Sequence, residues 1–259
     1  MRAAVKSFHR QGIMHTTFSK SLRISITDNN TEAVRIKEAL YRNNHRQVRM
    51  SSSITTQEMM KSSDLIFLTS YCERRWHEIT KFCNRDHIIV STVTGIKLDD
   101  YFPHARKVLM IPSTLLGEVP ATIAWYMPSD NLPLRESMST LFADSYSHWI
   151  HESTLIDSIS SIVRTSPACL SIFLESCINS GQRIGMMHQE SKHLWINSML
   201  DVVTALEKGI DGHSIINADN IGKYMANRID GYEMEWAIHI LQMEAINTNL
   251  RLRDDHKPK

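Results

Sequence analysis

The residues that could do chemistry are spread thinly along this 259-residue chain. Cys72, Cys83, Cys169 and Cys177 form no C-x-x-C pair and no regular framework. That usage fits reduced thiols in a reducing compartment, serving as core or surface residues rather than nucleophiles or ligands. The 13 histidines are scattered, with no H-E-x-x-H or comparable spacing, so no metal site is expected. No paired carboxylates or Ser/His/Asp set stands out, and no G-x-G-x-x-G turn occurs anywhere. The polar residues with a defined place are those that close short apolar runs. Asp28, Asn29 and Asn30 follow one run, Thr69 and Ser70 the next, then Thr92, Thr94 and Gly95, then Ser113.

The runs themselves read as strands. Residues 22–27 (LRISIT) alternate apolar and polar side chains, while 64–69 (DLIFLT), 87–92 (HIIVST) and 107–111 (KVLMI) are compact apolar runs expected to be buried on both faces. Between them, residues 31–40 place Ala33, Ile36, Ala39 and Leu40 on one side of a helix. Shorter helices are expected at 51–60, 74–82 and 98–101. Strands alternating with helices imply βαβ units and a mostly parallel sheet. After Gly117 the pattern predicts strands at 121–126 and 145–150 flanking a helix at 134–143. From Ser153 onward everything reads as helix, with segments 167–180, 190–208 and 232–250 and glycine-containing joints. The chain therefore divides near Ser153, into an α/β part at 1–152 and an all-helical part at 153–259. Segment 232–250 is apolar around more than one stripe (Met234, Trp236, Ile240, Met243, Ile246), which calls for burial on several sides. A second subunit is the simplest cover, so a homodimer or higher homo-oligomer through the C-terminal helices is expected.

Composition removes other classes. The chain is 42% hydrophobic and 22% charged, with 29 basic and 28 acidic side chains and a formal net charge of +1. That is an ordinary globular balance without the basic footprint of a nucleic-acid binder. The longest clearly apolar stretch, residues 121–127, is far below the ~20 needed to cross a bilayer, so no membrane span is expected. Residues 1–27 contain no acid and several basic and hydroxyl residues. They read either as a helix at 3–8 closed by Gly12 with a strand following, in a cytoplasmic protein, or as a mitochondrial transit segment.

Four blocks carry a resemblance. DLIFLTS (64–70), HIIVSTVTGIKLDDYFP (87–103), KVLMIPST (107–114) and SPACLSIFLESCINSGQRIGM (166–186) resemble, in order and spacing, blocks of the pyrroline-5-carboxylate reductases. The resemblance spans roughly residues 3–208. It implies a Rossmann-like, mostly parallel dinucleotide-binding sheet domain (1–152), followed by an all-helical dimerisation domain (153–259). In that family a first strand and a G-x-G-x-x-G turn grip the cofactor diphosphate and precede the helix that residues 3–12 resemble. No such element is encoded here, so the sheet is expected to lack its first strand, either truly or because the gene model starts late.

The resemblance also assigns sites. Asp28, Asn29 and Asn30 stand where the family contacts the adenosine ribose, and an Asp there suits a ribose hydroxyl, which favours NADH over NADPH. Thr69, Ser70, Tyr71 and Cys72 replace Ala-Val-Lys-Pro, so a characteristic lysine is Tyr71. Thr92, Thr94 and Gly95 keep the small-residue turn beside the nicotinamide, and Ser113 supplies a hydroxyl in place of an asparagine. On the substrate side the family's Gly-Ser-Gly-Pro-Ala becomes residues 164–168, leaving Arg164 and Ser166 as candidates, with Arg164 able to pair a carboxylate or to be a plain solvated charge. A further substrate-binding loop of the family has no counterpart, and residues 217–227 stand in its place. The implied function is an NAD(P)H-dependent oxidoreductase that reduces the C=N bond of an imino acid, as in proline biosynthesis. An inactive paralogue acting as a binding or regulatory subunit is the other reading. An alcohol dehydrogenase of the β-hydroxyacid group would need a lysine in 167–180, which has none.

Overall fold

The computed structural model describes residues 22–45, 47–50, 55–129 and 131–216. The expected elements at 3–12, 217–227 and 232–250 lie outside these residues. The chain divides into two compact units, Met1–Ser153 and Thr154–Lys259.

The first unit is a seven-stranded sheet. Strand β1 (Ile24–Ile26) leads to helix α1 (Thr31–Arg42), β2 (Val48–Met50), α2 (Thr56–Ser62), β3 (Leu65–Leu68), α3 (Glu73–Phe82) and β4 (Ile88–Ser91). A short α4 (Leu98–Tyr101), β5 (Arg106–Pro112), β6 (Thr122–Tyr126), α5 (Leu132–Leu141) and β7 (Tyr146–Ile150) complete it. The order is β2-β1-β3-β4-β5-β6-β7, with only the β5–β6 pair antiparallel. This is the Rossmann-like, mostly parallel sheet. Among the described residues no strand lies between β1 and β3, which pair directly with Ile24 opposite Leu65 and Ile26 opposite Phe67.

Alternation along the strands divides the core into two layers. Ile24, Ile26, Phe67, Val90 and Met110 pack with α1 and α5 on one face. Ile66, Leu68 and Ile89 pack with Met59, Met60, Trp76 and Phe102 on the other. Strands buried on both faces are what the apolar runs predict. The helices start where side chains can cap them. Asn30 accepts from the Ala33 N–H at α1, and Thr55 and Glu58 form a reciprocal capping box at α2. Strand β2 has no counterpart among the elements expected from sequence. It is three residues long, only Val48 is buried, and its V-R-M pattern is too short to show a period.

Both ends of the β1–β3 seam are fastened by charge. At the entry, Arg23 donates to Asp64 from its backbone N–H (3.0 Å), Nε (3.1 Å) and Nη2 (2.7 Å). In the buried middle, the Ser25 and Ser63 hydroxyls share a 2.7 Å hydrogen bond. The exit is held by Asp28, described below. A second clamp secures α1: Arg42 pairs with Asp144 and donates to the carbonyls of Gly117 (2.6 Å) and Val119 (3.1 Å). Burial alone would raise the Asp144 carboxyl, but hydrogen bonds from Asn43, Arg42 and Ser145 outweigh it and hold the group below the usual carboxylate range.

The second unit, described on its own, contains α6 (Ile156–Arg183), α7 (His188–Glu207) and the short α8 (Gly212–Ile216). α6 runs unbroken through Pro167. α6 and α7 meet where Gly181 faces Ser191, so closely that a Cβ on Gly181 would lie 2.1 Å from the Ser191 Oγ. That hydroxyl donates to the Ile178 carbonyl at 2.9 Å.

Gly117 tests how tightly the 113–121 loop is pressed on α1. Its φ is +98°, and an added Cβ would stand 2.9 Å from the Arg35 carbonyl oxygen. Gly185 has the same φ but open space around it. Denaturant unfolding is expected to show Gly117→Ala destabilising by about 2–3 kcal/mol and Gly185→Ala by only about 1 kcal/mol. Equal effects would mean that the loop is not packed as described.

Candidate functional site

Because β1, β3, β4 and β5 are parallel, the turns that follow them gather at one edge of the sheet. Residues 27–30, 69–72 and 92–95 and Ser113 lie in these turns. Open α/β sheets bind ligands outside the carboxyl ends of their strands, at the point where strand order reverses. With the order β2-β1-β3, that point is the β1/β3 pair.

There the two turns are joined by Asp28. One carboxylate oxygen accepts from Arg75 Nη1 at 2.8 Å. The other accepts from the hydroxyls of Ser70 (2.7 Å), Thr27 (3.2 Å) and Thr69 (3.4 Å). Asn30 adds a second bridge, donating to the Thr69 carbonyl at 3.1 Å while its oxygen caps α1. Trp76, buried in the core, donates from Nε1 to the Ser70 carbonyl at 3.1 Å, so core packing fixes the turn that carries the Ser70 hydroxyl. Four expected residues, Asp28, Asn30, Thr69 and Ser70, are thus brought together. Asn29 is exposed beside them.

The neighbouring turns are built for shape. Thr92 and Thr94 are buried, and the Thr92 N–H donates to the Leu68 carbonyl at 2.9 Å. Gly95 turns the chain with φ +86°, a conformation that favours glycine. Ser113 is buried, and its Oγ accepts from the Leu115 N–H at 3.3 Å, closing the turn after β5. Arg164 and Ser166 lie on α6, in the other unit. Arg164 is half-buried, and the Ser166 hydroxyl donates to the Ile162 carbonyl at 2.5 Å.

Tyr71, at the lysine position, turns into an aromatic cluster. Its hydroxyl is 2.7 Å from that of Tyr101, and its ring meets Trp76 edge-on at 5.2 Å. Burial, with help from the Tyr101 hydrogen bond, raises its phenol well above the ordinary range. Burial likewise pushes the Cys83 thiol up to about 11 and raises Cys177, which keeps both thiols protonated and unreactive at neutral pH.

Arg75 is the functional candidate that sequence reading misses. It lies in the first turn of α3, five residues after Ser70, inside a charged Glu73-Arg74-Arg75 stretch that reads as a solvated helix start. Its nearness to a strand-end turn was the available signal. Two acids share this edge, Glu32 in the first turn of α1 and Glu73 in that of α3.

No family model matches the chain, and no curated protein sequence matches it. Solved structures do share its fold. The pyrroline carboxylate reductase of Plasmodium falciparum with NADP bound superposes with a TM-score of 0.77 at 13% identity, covering 90% of this chain and 98% of that one. The 1-pyrroline-5-carboxylate reductase of Streptococcus pyogenes gives 0.69 at 15% identity, covering 88% and 98%. That of Coxiella burnetii gives 0.68 at 12% identity, covering 90% and 99%. The class thereby defined is a fold: a Rossmann-like sheet followed by helices, as in the pyrroline-5-carboxylate reductases.

The Tyr71 pair is checked by alkaline titration. A phenol whose folded pKa is raised contributes stability that is present below its ordinary pKa of 10.0 and is lost as pH rises toward the folded value. Tyr71→Phe is therefore expected to flatten the decline in stability above pH 10. An unchanged alkaline limb would contradict the burial of that phenol.

Proposed function

We propose that the protein is an NAD(P)H-dependent oxidoreductase that reduces the C=N bond of an imino acid by hydride transfer. The observation that carries this reading is the gathering of Asp28, Asn30, Thr69, Ser70 and the Thr92–Gly95 turn at the carboxyl edge of a sheet shaped like those of the reductases. The donor set fits a nicotinamide dinucleotide at its two ends. Asp28, Asn30 and Arg75 suit the adenosine ribose, and the small residues at 92–95 leave backbone exposed to a flat ring. The bound nucleotide supplies the hydride. The chain's own residues bind and orient: the Asp28 network holds the β1 and β3 turns at fixed spacing, Gly95 keeps the turn beside it low, and Arg164 and Ser166 are assigned to the substrate carboxylate. A protonated imine is already electrophilic, so positioning does most of the catalytic work and no acid–base pair is required of the protein. All four cysteines are free thiols, which supports a reducing compartment such as the cytoplasm.

One observation favours the second reading, an inactive paralogue with a binding or regulatory role. Asp28 already accepts from four donors, which leaves its carboxylate little capacity to accept from a ribose hydroxyl. Binding separates the two. With nucleotide at 100 times its dissociation constant, the reductase reading expects about 2.7 kcal/mol of stabilisation, read as a rise in melting temperature. It also expects oxidation of the reduced cofactor when a cyclic imino acid is added. Stabilisation without turnover supports the paralogue, and absence of both removes the reductase reading.

The helical unit leaves Leu170, Ile172, Phe173, Leu194, Trp195 and Leu200 exposed on α6 and α7. We assign this surface to a homodimer or higher homo-oligomer, since exposed apolar area of this kind marks interfaces. Light scattering is expected to show a multiple of 29.8 kDa for the intact chain and a smaller species for Phe173→Glu. A monomer at all concentrations contradicts the assignment.

A further inference from the structure

The turn that carries Ser70 is held from the core by Trp76. This residue lies in the first turn of α3 and is 1% exposed. Its ring sits among those of Tyr71 (5.2 Å), Tyr101 (5.2 Å) and Phe102 (5.6 Å). A large ring packed on several sides by other rings has little freedom to reorient, so packing fixes the direction of its N–H. Indole Nε1 can only donate, and here it donates to the Ser70 carbonyl at 3.1 Å. The hydroxyl of that same serine donates to Asp28 at 2.7 Å. Ser70 is thus bonded in two directions, to the core through its carbonyl and across the seam to the β1 turn through its hydroxyl.

Trp76 packs in the core layer opposite that of Ile24 and Ile26, yet it stands two hydrogen bonds from the turn that ends β1. It also meets α4, which begins three residues after Gly95. The Tyr101 ring contacts it edge-on at 89°, and the Thr80 hydroxyl lies 2.8 Å from the Trp76 carbonyl and 2.7 Å from that of Tyr101. The 69–72 turn and the helix that follows the 92–95 turn are therefore both set against this buried ring.

We propose that Trp76 is a positioning residue of the candidate site: its indole N–H fixes the Ser70 turn and, through the Ser70–Asp28 bond, the spacing of the β1 and β3 turns, so that a nucleotide meets them preorganised. The effect on nucleotide affinity rests on the reductase reading above; the fixing of the turns does not. Being buried, Trp76 acts through Ser70 and not by contact with a ligand. Affinity gains because a turn already held in its bound form loses less freedom on binding.

The test uses the full chain with two replacements. Trp76→Phe keeps a ring and loses the donor, and benzothienylalanine at position 76 keeps the shape of indole with sulfur in place of N–H. Ile79→Val is the control, since it trims a buried side chain of the same layer that can form no hydrogen bond. Calorimetric titration with NADH and NADPH is expected to show both Trp76 replacements binding about 3- to 10-fold more weakly than wild type, the effect of one ordinary hydrogen bond. Ile79→Val should melt lower and bind as wild type does. Ser70→Ala combined with Trp76→Phe should lose less affinity than the two changes summed, because both act through one residue. In the unliganded chain, amide exchange at residues 27–30 should quicken in both Trp76 replacements and not in Ile79→Val. Unchanged exchange there in the benzothienylalanine chain, whose core shape is intact, overturns the assignment. Wild-type affinity in both Trp76 replacements also overturns it and leaves the reductase reading standing. A wild type that binds neither nucleotide removes the reductase reading, and quickened exchange at 27–30 then still sustains the fixing of the turns by Trp76.

Discussion

The direct pairing of β1 with β3 is the constraint on which the rest of the sheet unit depends. Two parallel strands of three and four residues are too short to hold register by backbone hydrogen bonds alone, and a slip of one residue would move every side chain to the opposite face. The register is fixed from the ends. Arg23 and Asp64 lock the entry, the Ser25–Ser63 hydrogen bond marks the middle, and Asp28 locks the exit. With those fastenings Ile24 and Ile26 enter one layer of the core while Ile66 and Leu68 enter the other. Each polar contact alone contributes roughly 0.5–1.5 kcal/mol. Together they specify one alignment.

The same pairing creates the candidate site. When β1 and β3 are neighbours, strand order reverses between them, and the turns that leave them must diverge. The polar residues at those turns close the seam and gather at the candidate site. Asp28 joins the two turns by accepting from Arg75, Ser70, Thr27 and Thr69. On the opposite side, α1 is pressed against the 113–121 loop by Arg42 and by the close approach at Gly117.

Much of this was legible in the sequence because apolar period and strand ends are local properties. β3, β4 and β5 lie within the apolar runs or a residue beyond them, since each run is flanked by polar or turn-forming residues and buried on both faces. α1 was visible through Ala33, Ile36, Ala39 and Leu40, all of which are buried. β2 was not, because an edge strand with one buried residue leaves no periodic trace. Among site residues, Asp28 and Ser70 could be placed by resemblance, whereas their mutual hydrogen bond spans 42 positions and Arg75 reaches Asp28 across 47. Such pairings are products of the sheet order and have no local signature. Tyr71 illustrates the converse: its difference from a lysine was plain, but its place among Trp76 and Tyr101 emerged only from packing.

The most direct test of the central claim, that a nicotinamide nucleotide lies across the β1/β3 edge, is hydrogen exchange of the intact chain with and without NADPH. Amides slow when a ligand covers or stabilises them. The account predicts slowed exchange confined to peptides covering residues 27–32, 69–76 and 92–96. Slowing confined to other peptides, or none at saturating nucleotide, would contradict it.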